Sequence, residues 1–173
     1  MKYLFLDIDG VLNHEDWYKN KVQGFRHLFK SWEDSCFDPD CVRNLLEILN
    51  ETGARLVISS SWRFDRDLKK YFEKLGIPTD FDITPSLTRE DENGALTWPD
   101  RGDEIAKFLE SHPCDEYVIL DDDMDFSEDQ IENHFVHCCA DFTQAFKEGH
   151  EGETGLTRLK MQEAINILNK PNK

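Results

Sequence analysis

Short apolar runs alternate along the chain with stretches whose apolar residues recur every three or four positions. Residues 3–6, Tyr-Leu-Phe-Leu, end at Asp7, as a buried strand does when it hands its last residues to a surface. A helix is predicted over Pro39–Thr52. Asp38 can cap it, Pro39 suits its first position, Val42, Leu45, Leu46 and Leu49 share one face, and Gly53 can close it. Residues 55–59 read as the second strand. Leu68, Tyr71, Phe72 and Leu75 repeat at helical spacing before Gly76, and Ile105, Phe108 and Leu109 do so in a helix that opens near Arg101 and stops at Pro113. Residues 77–99 read mostly as loop. Residues 117–120 form a third strand and 134–138 a weaker fourth, residues 148–155 are a Gly- and Glu-rich mobile loop, and Leu159, Ala164, Ile165 and Leu168 mark a last helix that Thr157 can cap.

Strand and helix by turns, with short apolar strands, predict an α/β fold: a Rossmann-like open, mainly parallel sheet with helices on both faces. Ligands of such sheets sit beyond the carboxyl ends of the strands. A length of 173 residues suits one domain, 1–173, with residues 14–37 as a small cap or flap insert after the first strand. The 36 Asp and Glu against 20 Lys and Arg leave a net charge of -16, which opposes bulk non-specific binding of nucleic acid. Five cysteines without CxxC spacing read as reduced thiols of a cytoplasmic protein. No apolar stretch is long enough for a signal peptide or a membrane span, so no membrane partner is expected.

Three polar groups end the predicted strands. Asp7-Ile8-Asp9-Gly10 follows the first, and its glycine allows a sharp turn or a close backbone approach. Ser59-Ser60-Ser61-Trp62-Arg63 follows the second, with hydroxyls and a guanidinium suited to a phosphate. Asp121-Asp122-Asp123-Met124-Asp125 follows the third. In a parallel sheet these groups share one edge. Like charges ~4 Å apart repel by ~4 kcal/mol at an effective dielectric of 20, so converging carboxylates require a cation or raised pKa values, and a hard ion such as Mg²⁺ answers the first need. Asp121, Asp123, Asp125 and Glu132 also fit the spacing of a calcium loop, but Phe126 stands where that loop needs glycine, and a strand rather than a helix leads into it.

With these stations in order, the chain resembles the haloacid dehalogenase (HAD) superfamily of aspartyl-phosphate phosphohydrolases, and it looks like a subgroup of small HAD domains, some of which accompany RNA-repair enzymes. The resemblance implies Asp7 as nucleophile and Asp9 as general acid and base. It implies Ser60, or Ser59 one residue earlier, as the phosphate-binding hydroxyl. Mg²⁺ would be held by Asp7, the Asp9 backbone carbonyl and at least one of Asp121 and Asp122, with Asp123 and Asp125 as further candidates. The third motif of the family, a lysine at a helix start, has no clear match, and Arg101 is the best placed cation. Gly10, Ser61 and Arg63 are expected to touch substrate. Because Asp9 is present, phosphate-ester cleavage is favoured over carbon-halogen hydrolysis. The expected partner is a nucleotide, a nucleic-acid end or another small phosphomonoester; a regulatory module that keeps the metal site without turnover is the alternative.

The insert carries Trp17, Tyr18, Phe25, Phe29, Trp32 and Phe37 among Lys19, Lys21, Arg26 and Lys30. An amphipathic flap packed on the core is favoured there over a base-stacking surface. His134, His137, Cys138 and Cys139 divide between the two faces of a strand and do not converge on zinc. His14 is expected at the surface.

Overall fold

The computed structural model describes residues 1–22, 36–65, 67–90, 93–94, 96–97, 100–147, 149 and 153–171. A five-stranded, all-parallel sheet forms its centre. The strands are β1 (Lys2–Leu6), β2 (Arg55–Ile58), β3 (Asp82–Ile83), β6 (Glu116–Asp121) and β7 (Phe135–His137), in the order β3-β2-β1-β6-β7. β4 (Arg89–Glu90) and β5 (Leu96–Thr97) form a separate antiparallel pair. The helices are α1 (Pro39–Thr52), α2 (Leu68–Leu75), α3 (Arg101–Ser111), α4 (Glu128–His134), α5 (Phe142–Lys147) and α6 (Arg158–Leu168).

Alternation along the strands divides the core in two. Leu4, Leu6, Leu56, Ile58, Val118 and Leu120 meet α1, α2 and α6 on one face, while Tyr3, Phe5, Val57 and Ile119 meet Ile105 and Phe108 of α3 on the other. α1 has the expected ends: the Asp38 carboxylate accepts from the Asp40 amide, and Gly53 closes it at φ 65°, in the left-handed region that favours glycine. Thr157 caps α6.

Four differences from the expected elements have local causes. Residues 77–99 are not all loop: Asp82–Ile83 adds an edge strand held by β2, and β4 and β5 pair nearby. Two-residue strands carry no periodicity to read. α4 was legible in another way, since Ser127 and Gln130 form a capping box. α5 is a short additional helix. Residues 61–64 form a 3-10 turn capped by Ser60 between β2 and the next helix, which starts at Leu68.

Of the insert, Phe25, Arg26, Phe29, Lys30 and Trp32 lie outside the described residues. Trp17 and Phe37 are buried, Phe37 packs on Trp62 and Phe72, and the Tyr18 hydroxyl donates to the Cys36 carbonyl. No disulfide joins any of the five cysteines, and among the described residues no helix is long and apolar enough to cross a membrane.

Arg63 leaves β2 and turns inward. Its Nη2 donates to both Glu104 oxygens at 3.0 and 2.8 Å, and its Nη1 donates to the Ser59 carbonyl at 2.7 Å, with both side chains only 7% exposed. The pair joins the exit of β2 to α3. Removing one partner of a buried pair strands the other, at a cost of ~3–5 kcal/mol. Glu104→Ala and Arg63→Ala are each expected to lower unfolding free energy by that amount in urea titrations; a stability within ~0.5 kcal/mol of wild type would remove this structural role.

Candidate active site

The strand register builds the site. Leu6 is opposite Leu120 in the parallel pair of β1 and β6, so the next residues, Asp7 and Asp121, emerge side by side, and the Asp7 amide donates to the Leu120 carbonyl at 2.9 Å. Asp122 follows on the loop. Oxygens of Asp7, Asp121 and Asp122 lie within 4.8 Å of one another, with the first two carboxylates buried. Gly10 has φ 76°, and a Cβ there would sit 2.3 Å from the Asp122 Cγ. The glycine therefore serves both the turn and the close approach of Asp122.

One cation stands among these acids. Arg101 Nη1 is 2.7 Å from Asp7 Oδ1 and 2.8 Å from Asp121 Oδ2, and Nη2 is 3.5 Å from Asp123 Oδ2. Asp125 aims it, because its Oδ2 accepts from the Arg101 amide at 3.1 Å and its carbonyl accepts from the Gly102 amide. These are unpaired donors of the α3 N-terminus, capped from another segment of the chain. Burial opposes the Arg101 charge, but Asp121 and Asp7 outweigh it and hold the guanidinium above its usual pKa.

A single positive charge does not neutralise the cluster. Burial, followed by the nearby Asp7 carboxylate, pushes Asp121 up to about 8 and Asp122 up to about 7. Asp7 is raised too, chiefly by burial, with Arg101 and a hydrogen bond from Ser60 pulling the other way. Ser60 is thus the serine whose side chain reaches Asp7. Ser59 Oγ is buried and has no hydrogen-bond partner among the described residues.

Asp9 is exposed and held at both oxygens: Asn13 Nδ2 donates to one at 2.8 Å and Trp62 Nε1 to the other at 2.9 Å. Asn13 and Trp62 escaped the sequence reading. So did Gln144, which with the strand residue His137 bonds the Asp122 carbonyl, at 3.0 and 2.9 Å respectively. The spacing of four residues from Asp9 to Asn13 is a local signal for that contact, whereas nothing in the sequence pairs Trp62 or Gln144 with an aspartate.

The structure brings Asp7, Ser60, Arg101, Asp121 and Asp122 together, with Gly10 packed against Asp122. Ser61 is exposed at the start of the 3-10 turn. Arg63 is engaged by Glu104 rather than turned to the carboxylates, and it lines a cleft of about 790 Å³ with Phe64, Lys69 and Phe81 that contains none of the site acids. His14, expected at the surface, is buried: its imidazole is bracketed by Asp38 and Thr154. His134 and His137 bond separate carbonyls, those of Tyr117 and Asp122.

A parallel sheet whose central strands end in DxDG and in a run of aspartates, with a serine from the next strand on the first aspartate, has the fold and acidic edge of the HAD phosphohydrolase class. The chain belongs to the family described as the HAD domain in Swiss Army Knife RNA repair proteins, matched over residues 3–148. No curated protein and no solved structure matches it.

The three carboxylates fit a hard divalent ion. All donors are oxygen, the set a hard cation prefers, and one oxygen from each residue lies within 4.8 Å of the other two. Without metal, the raised carboxyls keep protons in the fold at pH values where an unfolded aspartate has lost them, so the folded state binds more protons above about pH 4. Stability in EDTA is therefore expected to fall as pH rises through about 7 and about 8, the values of Asp122 and Asp121. Melting temperatures across that range would measure it; a flat profile, or stability rising with pH, would contradict the electrostatic description.

Proposed function

We propose that this chain is a Mg²⁺-dependent phosphomonoesterase working through an aspartyl-phosphate. The observation that carries this reading is the convergence of Asp7, Asp121 and Asp122 around one arginine, beside a separately held Asp9. Asp7, Asp121 and Asp122, with the Asp9 carbonyl, would hold the ion, which when bound neutralises the carboxylates and the phosphoryl oxygens.

An Asp7 oxygen attacks phosphorus in line as the bond to the leaving oxygen breaks. Asp9, protonated, gives that oxygen its proton. Asp9 then takes a proton from the water that attacks the aspartyl-phosphate, releasing inorganic phosphate and restoring Asp7. Asn13 and Trp62 fix the direction in which Asp9 can act. Ser60 and Arg101 supply donors for the equatorial oxygens, where charge accumulates.

The substrate class follows from two supports. The family description refers to RNA repair, and phosphorylated nucleic-acid ends are phosphomonoesters. A net charge of -16 opposes capture of long polyanions, so recognition falls on the terminal phosphate. Nucleotides and short oligonucleotides with a 3′ or 5′ phosphate are the preferred substrates.

Arg101 also favours a second reading. It occupies the space between Asp7 and Asp121, which suits a metal-free regulatory module locked by its own cation. Phosphate release from a panel of phosphomonoesters, with Mg²⁺ or EDTA, separates the two. The enzyme reading expects Mg²⁺-dependent release that Asp7→Asn abolishes and Arg101→Ala lowers on the order of 10²-fold. Release that persists in EDTA or in Asp7→Asn overturns the mechanism, and no release from any substrate favours the regulatory module.

A second prediction separates orientation from stability. Trp62→Phe keeps the ring packed on Phe37 and Tyr71 but removes the donor to Asp9. It is expected to lower kcat and shift its pH profile while thermal stability changes little. Unchanged pH dependence would mean that the indole does not position Asp9.

A further inference from the structure

A second group of ligating side chains shares no residue with the acidic cluster. His14, Asp38 and Cys41 are buried, and one ligand atom from each lies within 4.8 Å of the other two. Their meeting has local causes. Asp38 caps α1 and Cys41 lies three residues later in its first turn, so both side chains belong to the helix entrance. The Asp38 amide donates to the Leu12 carbonyl at 2.7 Å, which brings the segment carrying His14 to the same entrance. The turn at Gly155 closes over them: at φ 69°, a Cβ there would lie 2.6 Å from His14 Cδ2 and 2.9 Å from Cys41 Sγ. Only glycine admits that approach.

The polar contacts are those of an oriented ligand set. Asp38 Oδ1 accepts from the Asp40 amide at 2.8 Å, leaving Oδ2 3.1 Å from His14 Nε2. On the far side of the ring, Nδ1 is 2.9 Å from Thr154 Oγ1. A histidine that ligates through one nitrogen is characteristically oriented by a hydrogen bond at the other. A surface cleft of about 410 Å³ is lined by all three residues together with Arg43, Asn44 and Thr154, and gives the group a side open to solvent.

We infer that His14 Nε2, Asp38 Oδ2 and Cys41 Sγ form a zinc site, with the fourth position facing the cleft. Ligands ~2.0–2.3 Å from a tetrahedral zinc lie ~3.3–3.8 Å apart, so small side-chain shifts complete it. The donor types select the metal: thiolate, imidazole and carboxylate together suit zinc, whereas the all-oxygen set at Asp7 suits magnesium. Binding releases the Cys41 thiol proton to solvent. For Nε2 to ligate, the ring proton that faces Asp38 Oδ2 moves to Nδ1 and is donated to Thr154 Oγ1, and the long 3.4 Å contact from the Trp17 amide to Nδ1 is given up. His14 opens the insert of residues 14–37 and Asp38 directly follows it, so the ion would tie both ends of the insert to the turn at Thr154 and Gly155.

The test uses the full chain stripped with chelator and titrated with Co²⁺, then Zn²⁺. A near-ultraviolet thiolate-to-cobalt charge-transfer band is expected in the wild type and in Asp122→Asn, and its loss in Cys41→Ser. Thr154→Val should weaken zinc ~10-fold or more in competition with a chromophoric chelator. No band in the wild type, or a band that survives Cys41→Ser, overturns the site. If circular dichroism shows Cys41→Ser unfolded, the band must survive Cys36→Ser, Cys114→Ser, Cys138→Ser and Cys139→Ser tested singly, and its loss in any of these assigns it elsewhere and overturns the proposal. Phosphate release is not read, so the outcome is independent of the proposed hydrolysis.

Discussion

Two buried carboxylates at the ends of neighbouring parallel strands are the constraint around which the structure is arranged. The pairing of β1 with β6 that buries Leu6 and Leu120 also delivers Asp7 and Asp121 to one place. Charges ~4 Å apart repel by ~4 kcal/mol even at an effective dielectric of 20. The hydrophobic sheet thus creates an electrostatic problem at its edge, and the surrounding elements answer it. Arg101 lies between the acids because α3 begins there, and α3 begins there because Asp125 caps it from the loop that follows Asp121. The acidic loop therefore positions its own counter-ion.

The partial character of that answer is chemically useful. A fully neutralised cluster would have no affinity for a further cation, while an uncompensated one would oppose folding. With one arginine among Asp7, Asp121 and Asp122, the remaining negative charge is met by protons at lower pH, and a divalent ion can take their place at higher pH. The Arg63–Glu104 pair has the opposite character. Its donors and acceptors are nearly all spent within the protein, so its contribution is to join β2 to α3.

What could be read from the sequence follows from how local each signal is. β1, α1, α3 and α6 are marked by periodicity and caps within a few residues, and Asp7, Asp9, Asp121 and Asp122 are each marked by an adjacent apolar strand. β3 is too short to show a period and exists only because β2 offers a free edge. Trp62 reaches Asp9 across 53 positions, and the opposed fates of Arg63 and Arg101 depend on which acid each one meets. Both follow strands or open helices, and sequence alone does not distinguish a guanidinium spent on Glu104 from one placed among Asp7, Asp121 and Asp123. His14 shows the same limit in reverse, since its burial is set by Thr154 and Gly155 far along the chain.

With no clear match to the lysine that the superfamily resemblance leads one to expect, the cation among these acids is an arginine, and that bears on what the site can do. An ammonium is a compact point charge on a flexible stem; a guanidinium is a planar fork that does not lose its proton. Here one nitrogen of the fork spans Asp7 and Asp121, and the other faces Asp123. For Asp7 to act as a nucleophile, its Oδ1 must be released from Nη1 while the positive charge stays close. In the proposed mechanism the fork would do both, turning its donors from carboxylate to phosphoryl oxygen, since the two present similar pairs of acceptors. In the proposed reaction the contact that stabilises the resting acids would become the contact that receives the phosphate, while Asp125 holds the first amide of α3 in place.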